Sequence, residues 1–398
     1  MRHRTRPPVV QDAIVERVRS EIISGRLRPG DRLPPRSEVA RRFSTTSVTV
    51  QRAFARLVES GFVTVRGPKG TFVSERPPHA YRYVLAFPLG PGDPGWVRFW
   101  TVLAEVAREA SSAGPRTFVV ACDVNKGADS AEFRALLEDV RERRLAGIVF
   151  ATNPFLVRGT PLLEATWLPR VAIMPPPAPE GVIALDLDHG AFLDRALDAL
   201  AERKRTRVAF ITVPGVSADR FDALAGRLSS RAMAARKEWV QVAPQSDPAW
   251  AENLARLMFR GAPKERPDGL VITDDNLVEH ASRGIVEAGV RVPDELDVIA
   301  HCNFPAPAPS VLPVRRLGYD IRALLRACVE LLERKRRGEA VADSVVKPVF
   351  ESELPAAGAP DDSHEAPRPG SRRGGKAHSA GPASDGRVAS AGCRARKS

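Results

Sequence analysis

The sequence predicts an α/β domain with open, parallel sheets, preceded by a small α+β module that contains a helix-turn-helix and a β-hairpin. Strand-like and helix-like segments alternate between residues 81 and 354. Residues 1–74 hold three helical patterns followed by two short strands, and residues 75–80 form a polar, proline-bearing linker. Residues 355–398 are rich in Gly, Pro, Ser, Ala and Arg, and they have almost no large apolar side chains to offset the entropy of ordering. A disordered basic tail is therefore expected there.

Composition limits the kind of protein this is. A chain of 398 residues allows two or three domains, and a hydrophobic content of 43% allows a sizeable core. There is no long apolar run of membrane-spanning length and no apolar signal-peptide core at the N-terminus. We expect no membrane span and a cytoplasmic location. The four cysteines lack CxxC spacing, which favours reduced thiols over a disulfide framework or a metal site.

The positive charge is unevenly distributed. Of the net charge of +12, residues 1–76 contribute +9, from 16 Lys and Arg against 7 Asp and Glu. Residues 357–398 contribute +4, and the long middle segment contributes −1. A basic module beside a neutral domain indicates contact with phosphates, although a general arginine bias of the chain would produce part of the same pattern.

Three helical patterns open the N-terminal module. The first has apolar residues four positions apart, the second is short, and the third follows a tight turn at Ser44-Thr45. Ser37 and Thr46 are placed to cap the second and third helices. The predicted helices cover Val10 to Ile22, Glu38 to Phe43, and Thr46 to about Ser60. Two helices joined by a tight turn are typical of a helix-turn-helix.

A short hairpin follows the third helix. Phe62–Val65 and Thr71–Val73 alternate as strands do, and they flank the glycine-rich turn Arg66–Gly70. Lys69 would lie at the tip of this hairpin. A basic hairpin after a helix-turn-helix predicts a wing that contacts nucleic acid.

The pattern over residues 11–74 is specific enough to name a family. The motif residues are Gly25, Leu27, Pro29-Gly-Asp-Arg-Leu-Pro34, Glu38-Val-Ala40, Thr49-Val50, Ala53, Leu57, Gly61 and Gly70-Thr-Phe-Val73. This segment resembles the GntR family of bacterial repressors. The resemblance implies that the third helix enters the major groove of DNA and that the wing contacts the neighbouring backbone or minor groove.

Several side chains are candidates for DNA contact. Hydroxyls and amides at the start of the third helix can reach phosphates and base edges, and basic side chains flank them. The candidates are Arg36, Arg41, Thr45, Thr46, Ser47, Thr49, Gln51, Arg52 and Lys69. A solvated helix face is the plainer interpretation of the arginines. Many family members have arginine where this chain has Ser37 and Ser47, so Arg36 or Arg52 is expected to take over that contact.

The large domain should bind its ligand at the carboxyl ends of its strands, as open parallel sheets do. Near its C-terminal end the pattern predicts a strand over Asp297–Ala300, a helix over Tyr319–Arg337 and a last strand over Val345–Phe350. Six motifs are informative: Gly147-Ile-Val149, Ser217-Ala-Asp-Arg-Phe-Asp-Ala-Leu224, Asp268-Gly-Leu-Val-Ile-Thr-Asp-Asp275, Gly289-Val-Arg-Val-Pro293, Leu296-Asp-Val-Ile299 and Leu317-Gly-Tyr-Asp320. They resemble the sensor domain of LacI-type repressors, which shares its fold with periplasmic sugar-binding proteins. The resemblance implies two lobes around a cleft, joined to a GntR-like head as in arabinose-responsive repressors.

By that resemblance, Arg220 and Asp275 face the cleft and hold ligand hydroxyls, for which a guanidinium and a carboxylate are suited. A surface position is the alternative for Arg220, while Asp275 could also cap a helix, a role that is compatible with ligand binding. Asp186 is a further candidate, and Asn303 stands near the position at which LacI-type sensors usually have an aspartate. Trp96 and Phe99 could stack on a sugar ring, or they could pack in the core. The other candidates are Asn153 and Phe155, and His301 is more typical of a packed residue.

These features favour a ligand-responsive transcription regulator at the bacterial nucleoid, most simply a repressor released by a small sugar-like effector. A homodimer is expected, because paired winged helices match a palindromic operator. One alternative is a DNA-binding protein whose sensor-like domain only dimerises. An enzyme fused to a DNA-binding head is more remote, since the chain has no GxSxG, GxxxxGK[ST] or HExxH motif and no lysine in a cofactor-attachment context. No cofactor is expected.

Overall fold

The computed structural model describes residues 10–214 and 218–355, without the side chains of residues 218–223. The expected disordered tail lies, apart from Pro355, outside the described residues. Within the described ranges, the expected architecture is confirmed: a helix-turn-helix module with a hairpin precedes an α/β domain with two mostly parallel sheets.

The N-terminal module packs three helices and a two-stranded hairpin around one core. Its elements are α1 (Val10–Ile23), α2 (Arg36–Arg42), α3 (Ser47–Glu59), β1 (Val63–Val65) and β2 (Thr71–Val73). Ile14, Val50 and Leu57 are fully buried in this core. The helix spacing of apolar residues thus places one face of α1 against one face of α3, as the sequence predicts.

The two helix starts differ from each other. The Thr46 hydroxyl accepts a hydrogen bond from the Thr49 amide at 3.3 Å, which confirms the predicted cap of α3. The predicted cap at Ser37 is wrong, because α2 begins at Arg36, two residues before the predicted start at Glu38, and Ser37 lies inside the helix. Pro35 takes the cap position there and offers no side-chain hydrogen bond. Its fixed φ sets the extended entry into the helix instead.

The linker is folded at its end. Residues Pro78–Tyr81 form the single-turn helix α4, and the His79 ring stacks on Phe62 with centroids 5.8 Å apart. Arg336 of the large domain donates a hydrogen bond to the Ala80 carbonyl at 3.2 Å. The linker therefore touches both the core of the N-terminal module and the large domain.

The large domain has two lobes, each built on a six-stranded sheet. Lobe 1 has the strand order β13-β7-β6-β5-β3-β4, all parallel, and lobe 2 has the order β14-β12-β11-β10-β8-β9, parallel except for β12 with β14. The strands are β3 (Arg82–Ala86), β4 (Thr117–Ala121), β5 (Gly147–Phe150), β6 (Arg170–Ile173), β7 (Ile183–Leu187), β8 (Val208–Thr212), β9 (Val240–Val242), β10 (Gly269–Ile272), β11 (Asp297–Phe304), β12 (Arg315–Asp320), β13 (Ser344–Val346) and β14 (Val349–Phe350).

Helices cover the faces of both sheets. Lobe 1 has α5 (Arg98–Ala113), α6 (Ala131–Arg141), α7 (Pro161–Glu164) and α12 (Ile321–Arg336); lobe 2 has α8 (His189–Glu202), α9 (Ala218–Ser229), α10 (Trp250–Met258) and α11 (Val278–Glu287). In lobe 2, α10 and α11 approach so closely that a Cβ on Gly284 would lie 2.1 Å from the Glu252 carbonyl oxygen. Only glycine fits at this crossing.

Two predictions near the C-terminal end are wrong. The predicted helix starts two residues too early: Tyr319 and Asp320 are the end of strand β12, and the helix begins at Ile321, where the Asp320 carboxylate caps it. Strand β11 runs on past Ala300 to Phe304, because β12 pairs with it as far as that residue. Local propensity could not show this pairing, which supplies the hydrogen bonds of both segments.

The predicted last strand, Val345–Phe350, is in fact two strands in different sheets. β13 pairs with β7 in lobe 1, and β14 pairs with β12 in lobe 2. The chain therefore passes between the lobes after β7, after β12 and after β13. At two of these crossings the Lys347 ammonium contacts the Asp188 carboxylate, and the Asp188 amide donates to the Val346 carbonyl at 3.0 Å.

The half-buried linker histidine should make stability depend on pH. Burial, together with the nearby Arg336 guanidinium, lowers the pKa of His79 from 6.5 to about 4. Between about pH 6.5 and pH 4 the imidazole is protonated in the unfolded chain but neutral in the folded chain. The free energy of unfolding therefore decreases as the pH falls through this range. His79→Phe keeps a ring against Phe62 and should remove this loss, a gain over wild type of about 1–2 kcal/mol at pH 5 relative to pH 8. Urea unfolding at the two pH values measures it, and equal pH dependence in both proteins would contradict it.

Candidate nucleic-acid interface and ligand cleft

The start of α3 presents an open polar face. Thr46, Ser47, Gln51 and Arg52 are exposed, whereas Thr45 and Thr49 are half-buried. The first turn of α3 contains no acidic side chain. The free amides and positive dipole end of the helix are therefore available to an anion.

Further basic side chains lie on α2 and on the turn of the hairpin. Arg36 and Arg41 are exposed on α2, and Lys69 is exposed in the single helical turn Gly67–Lys69 between the hairpin strands. Within residues 10–214 and 218–355, Arg36, Arg41 and Arg52 make no ion pair, unlike Arg56 further along α3, which contacts Asp12. These three cations can therefore meet phosphates without first breaking an ion pair.

The second candidate site lies between the lobes and centres on Asp275. This carboxylate follows β10, is 2% exposed, and accepts a hydrogen bond of 2.9 Å from the Asn303 amide nitrogen. Asn303 lies on β11 and is 1% exposed. The structure thus brings together two of the predicted ligand contacts, because the carboxyl ends of neighbouring parallel strands meet at the same edge of a sheet.

Burial raises the pKa of Asp275, and Asp274 acts in the same direction, while His301, Asn303 and Arg98 oppose the shift. The predicted N-cap role of Asp275 is wrong. Helix α11 begins only at Val278, and the carboxylate that holds the preceding turn, through the Asn276 amide at 2.9 Å, is that of Asp274. The Asp275 carboxylate is therefore left to face its partners in the cleft.

Arg98, which sequence reasoning missed, connects the two lobes. It is the first residue of α5 in lobe 1, and its backbone amide donates to the Asn276 side-chain oxygen at 3.0 Å. Its guanidinium donates to the Ala306 carbonyl at 2.9 Å, and its Nε lies 3.5 Å from the Asp275 carboxylate. One lobe 1 residue therefore contacts three lobe 2 residues.

The remaining predicted contacts are placed elsewhere or are not described. Trp96 and Phe99 pack against the core of lobe 1, and the Trp96 ring lies 5.2 Å from Phe87, which favours the packing interpretation. Asp186 is half-buried on β7 of lobe 1. The side chain of Arg220 lies outside the described residues.

His301 is a packed residue, as the sequence suggested. It is 9% exposed, and its ring lies 5.4 Å from Phe192 and 5.8 Å from Tyr319. Among the described residues, no three His, Cys, Asp or Glu side chains are grouped as a metal site. No described helix is both long and apolar enough to cross a membrane.

Comparison with known proteins assigns both parts of the chain. Residues 10–73 match the family model of bacterial regulatory proteins of the gntR family, and residues 197–352 match a periplasmic-binding-protein-like domain. The chain thus joins a GntR helix-turn-helix domain to a periplasmic-binding-protein-like domain. This confirms both resemblances.

Individual relatives cover different parts. The HTH-type transcriptional regulator TauR of Rhodobacter capsulatus is 37% identical over 89 residues, which are 22% of this chain and 18% of that protein. The chain spans only about a fifth to a quarter of the length of the first curated relatives. The arabinose metabolism transcriptional repressor of Geobacillus stearothermophilus is 22% identical over 76% of this chain and 84% of its own length.

A solved structure shares the fold of the large domain. The LacI family transcriptional regulator from Arthrobacter sp. FB24, in complex with lactose, aligns with a TM-score of 0.52 at 18% identity. The alignment covers 68% of this chain and 97% of that one. The periplasmic-binding-protein-like domain therefore has the two-lobed fold of LacI sensors.

Removing the Arg98 guanidinium should loosen the contact between the lobes. Arg98→Met keeps most of the aliphatic stem but loses the bond to Ala306 and the charge beside Asp275. We expect the lobes of the unliganded protein to separate more often, which small-angle X-ray scattering would record as a larger radius of gyration. Arg322→Met is the matched control, since Arg322 pairs with Glu109 inside lobe 1. Identical scattering from Arg98→Met and wild type would contradict the expectation.

Proposed function

We propose that the protein is a ligand-responsive transcription regulator. It binds operator DNA through α3 and the hairpin wing of the GntR domain, and it binds a small polar effector between the lobes of the sensor domain. The observation that carries this proposal is the set of exposed polar side chains at the start of α3, together with the exposed Arg36 and Arg41 on α2, in a domain of a regulatory family. The excess charge of +9 in residues 1–76 supports it, because such charge attracts DNA phosphates.

A polyhydroxylated effector fits the polar groups of the cleft. In the described part of the chain, the Asn303 side-chain oxygen and the Arg98 Nε are buried without a hydrogen-bond partner. The first is an acceptor and the second a donor, and both belong to residues around Asp275. A hydroxyl group can serve each of them, which supports a sugar-like ligand.

A homodimer would pair two heads on a palindromic operator. Lobe 2 exposes Trp250 and Leu257, seven residues apart on α10, and Val286 on the neighbouring α11, with exposed fractions of 55%, 57% and 49%. Large apolar side chains grouped in this way favour burial against a second copy. We assign the dimer contact to this surface of α10 and α11.

Effector binding would change the geometry of the paired heads and thereby the affinity for operator DNA. Release of a repressor by its effector is the direction we propose, at the nucleoid of a bacterial cytoplasm. A sensor that dimerises without an effector is a second candidate. The specific observation in its favour is that Arg98 of lobe 1 bonds directly to Asn276 and Ala306 of lobe 2.

Selection of DNA from a random library by the purified protein tests the function directly. We expect a palindromic site, whose binding is changed by one compound of a panel of sugars and related metabolites. Arg52→Ala should weaken binding to that site about 5- to 100-fold, the usual effect of losing a base or phosphate contact. Arg141→Met, which removes a charge that is 80% exposed on lobe 1, is the control and should bind as wild type does.

The outcomes separate the candidates. Asp275→Asn should keep operator binding and lose the response to the compound. A palindromic site with no response to any compound would favour the dimerisation-only sensor. If no sequence were enriched, the regulator proposal itself would be wrong.

The dimer contact has its own test. Leu257→Glu places a charge within the apolar surface of α10 and should convert the dimer into a monomer in sedimentation equilibrium. Leu156→Glu is the matched control, because Leu156 is also exposed, at 74%, but lies on lobe 1. If Leu257→Glu remained a dimer, the contact would lie elsewhere.

A further inference from the structure

A buried ion pair joins the GntR domain to the sensor domain. Arg19, on α1, is only 5% exposed although it is charged. Its guanidinium contacts the Glu142 carboxylate at the end of α6 in lobe 1 and donates to the Glu142 carbonyl at 2.7 Å. The Glu16 carboxylate of α1 accepts a further hydrogen bond from the same guanidinium at 2.8 Å. Arg19 thus has carboxylate partners in both domains.

The same carboxylate also reaches the DNA-binding helix. A second oxygen of Glu142 lies 3.8 Å from the guanidinium of Arg56, near the end of α3. Arg56 in turn contacts Asp12 of α1. One side chain of lobe 1 therefore faces two helices of the GntR domain, and its neighbouring carbonyl, at the negative end of the α6 dipole, adds to the attraction.

A second attachment lies at the linker. His79 stacks on Phe62 of the GntR domain, and Arg336 of lobe 1 holds the Ala80 carbonyl. Just beyond, the Arg82 guanidinium donates to Asp139 on α6 at 2.7 Å. Two attachments fix a direction as well as a position, since a body held at one point can still rotate about it.

The GntR domain keeps its proposed DNA-binding surface exposed when it is attached to lobe 1 in this way. Ser47, Gln51 and Arg52 are exposed, while Arg56, one turn further along α3, faces Glu142. The contact with the sensor domain therefore does not cover the proposed DNA-binding surface. What the contact with lobe 1 restricts is the orientation of α3.

We propose that Glu142 is the positioning residue through which lobe 1 fixes the direction of the DNA-binding helix, so that a dimer presents its two α3 helices at one spacing. This inference rests on the proposed function for its DNA readout. The partner surface is the GntR domain of the same chain, and charge complementarity selects it: a carboxylate meets two arginines. Removing the carboxylate leaves Arg19 buried with less compensation, which favours release of the head.

Fluorescence anisotropy decay tests the attachment without DNA. A dye is placed on a cysteine introduced at Glu59, an exposed position of α3, in a chain whose Cys122 and Cys393 are replaced by serine. In the otherwise unaltered chain the head should tumble with the whole protein. Glu142→Gln and Glu142→Arg should each add a fast nanosecond component. Glu138→Gln is the matched control, since Glu138 lies one turn earlier on α6 and, within the part of the chain that the structure describes, its carboxylate forms an ion pair only with Arg141.

DNA binding gives the second readout, using the selected operator with its half-sites moved apart or together by single base pairs. Wild type and Glu138→Gln should prefer one spacing. Glu142→Gln should bind a single half-site within twofold of wild type but lose at least fivefold of the preference for that spacing. An unchanged anisotropy decay and an unchanged spacing preference in both Glu142 variants would overturn the inference. If the wild type selects no DNA, the proposed function fails, and the anisotropy decay still decides whether Glu142 holds the head.

Discussion

The parallel direction of the strands is the constraint on which the rest of this structure depends. In each lobe it collects the carboxyl ends of the strands at one edge, so the loops that follow β3 in lobe 1 and β10 in lobe 2 face the same cleft. Arg98 and Asp275 lie at these two places and meet there at 3.5 Å. The three chain crossings between the lobes keep the two edges opposite each other. The parallel strand order therefore brings Arg98 and Asp275 together in the cleft.

The sequence was informative where the controlling interactions are local. The Thr46 cap involves a residue three positions away, and the apolar spacing of α3 is readable within a single helix. Asp275 and Asn303 were identified through the resemblance of their segments to LacI-type sensors, and not through a local pattern. Arg98 was missed because its lobe 2 partners are 178 and 208 positions away along the chain. Tyr319 and Asp320 were misplaced in a helix for the same reason, since they belong to the strand that pairs with β11.

Two ion pairs connect parts of the chain that have separate cores: Arg98 with Asp275 between the lobes, and Arg19 with Glu142 between the domains. Each pair includes a side chain that is at most 7% exposed. Buried ion pairs add little net stability, because desolvation offsets most of the attraction, but they are demanding about geometry. An apolar contact of the same size would tolerate sliding. These pairs are therefore suited to define one arrangement of lobes and head and to release it when the partner charge moves.

The placement of the contacts also suggests how the cleft would act on the heads. The GntR domain is attached to lobe 1, through Glu142 and the linker, whereas the apolar surface that we assign to the dimer belongs to lobe 2. In that dimer the two lobe 2 surfaces form the fixed centre, and each lobe 1 carries its head. A ligand that replaced the Arg98 contacts would change the angle between the lobes, and each head would move with its lobe 1 relative to the dimer axis. Because two heads move in opposite directions about a two-fold axis, a small rotation within each chain is doubled in the distance between the two α3 helices. That distance must match the spacing of the two half-sites in a palindromic operator.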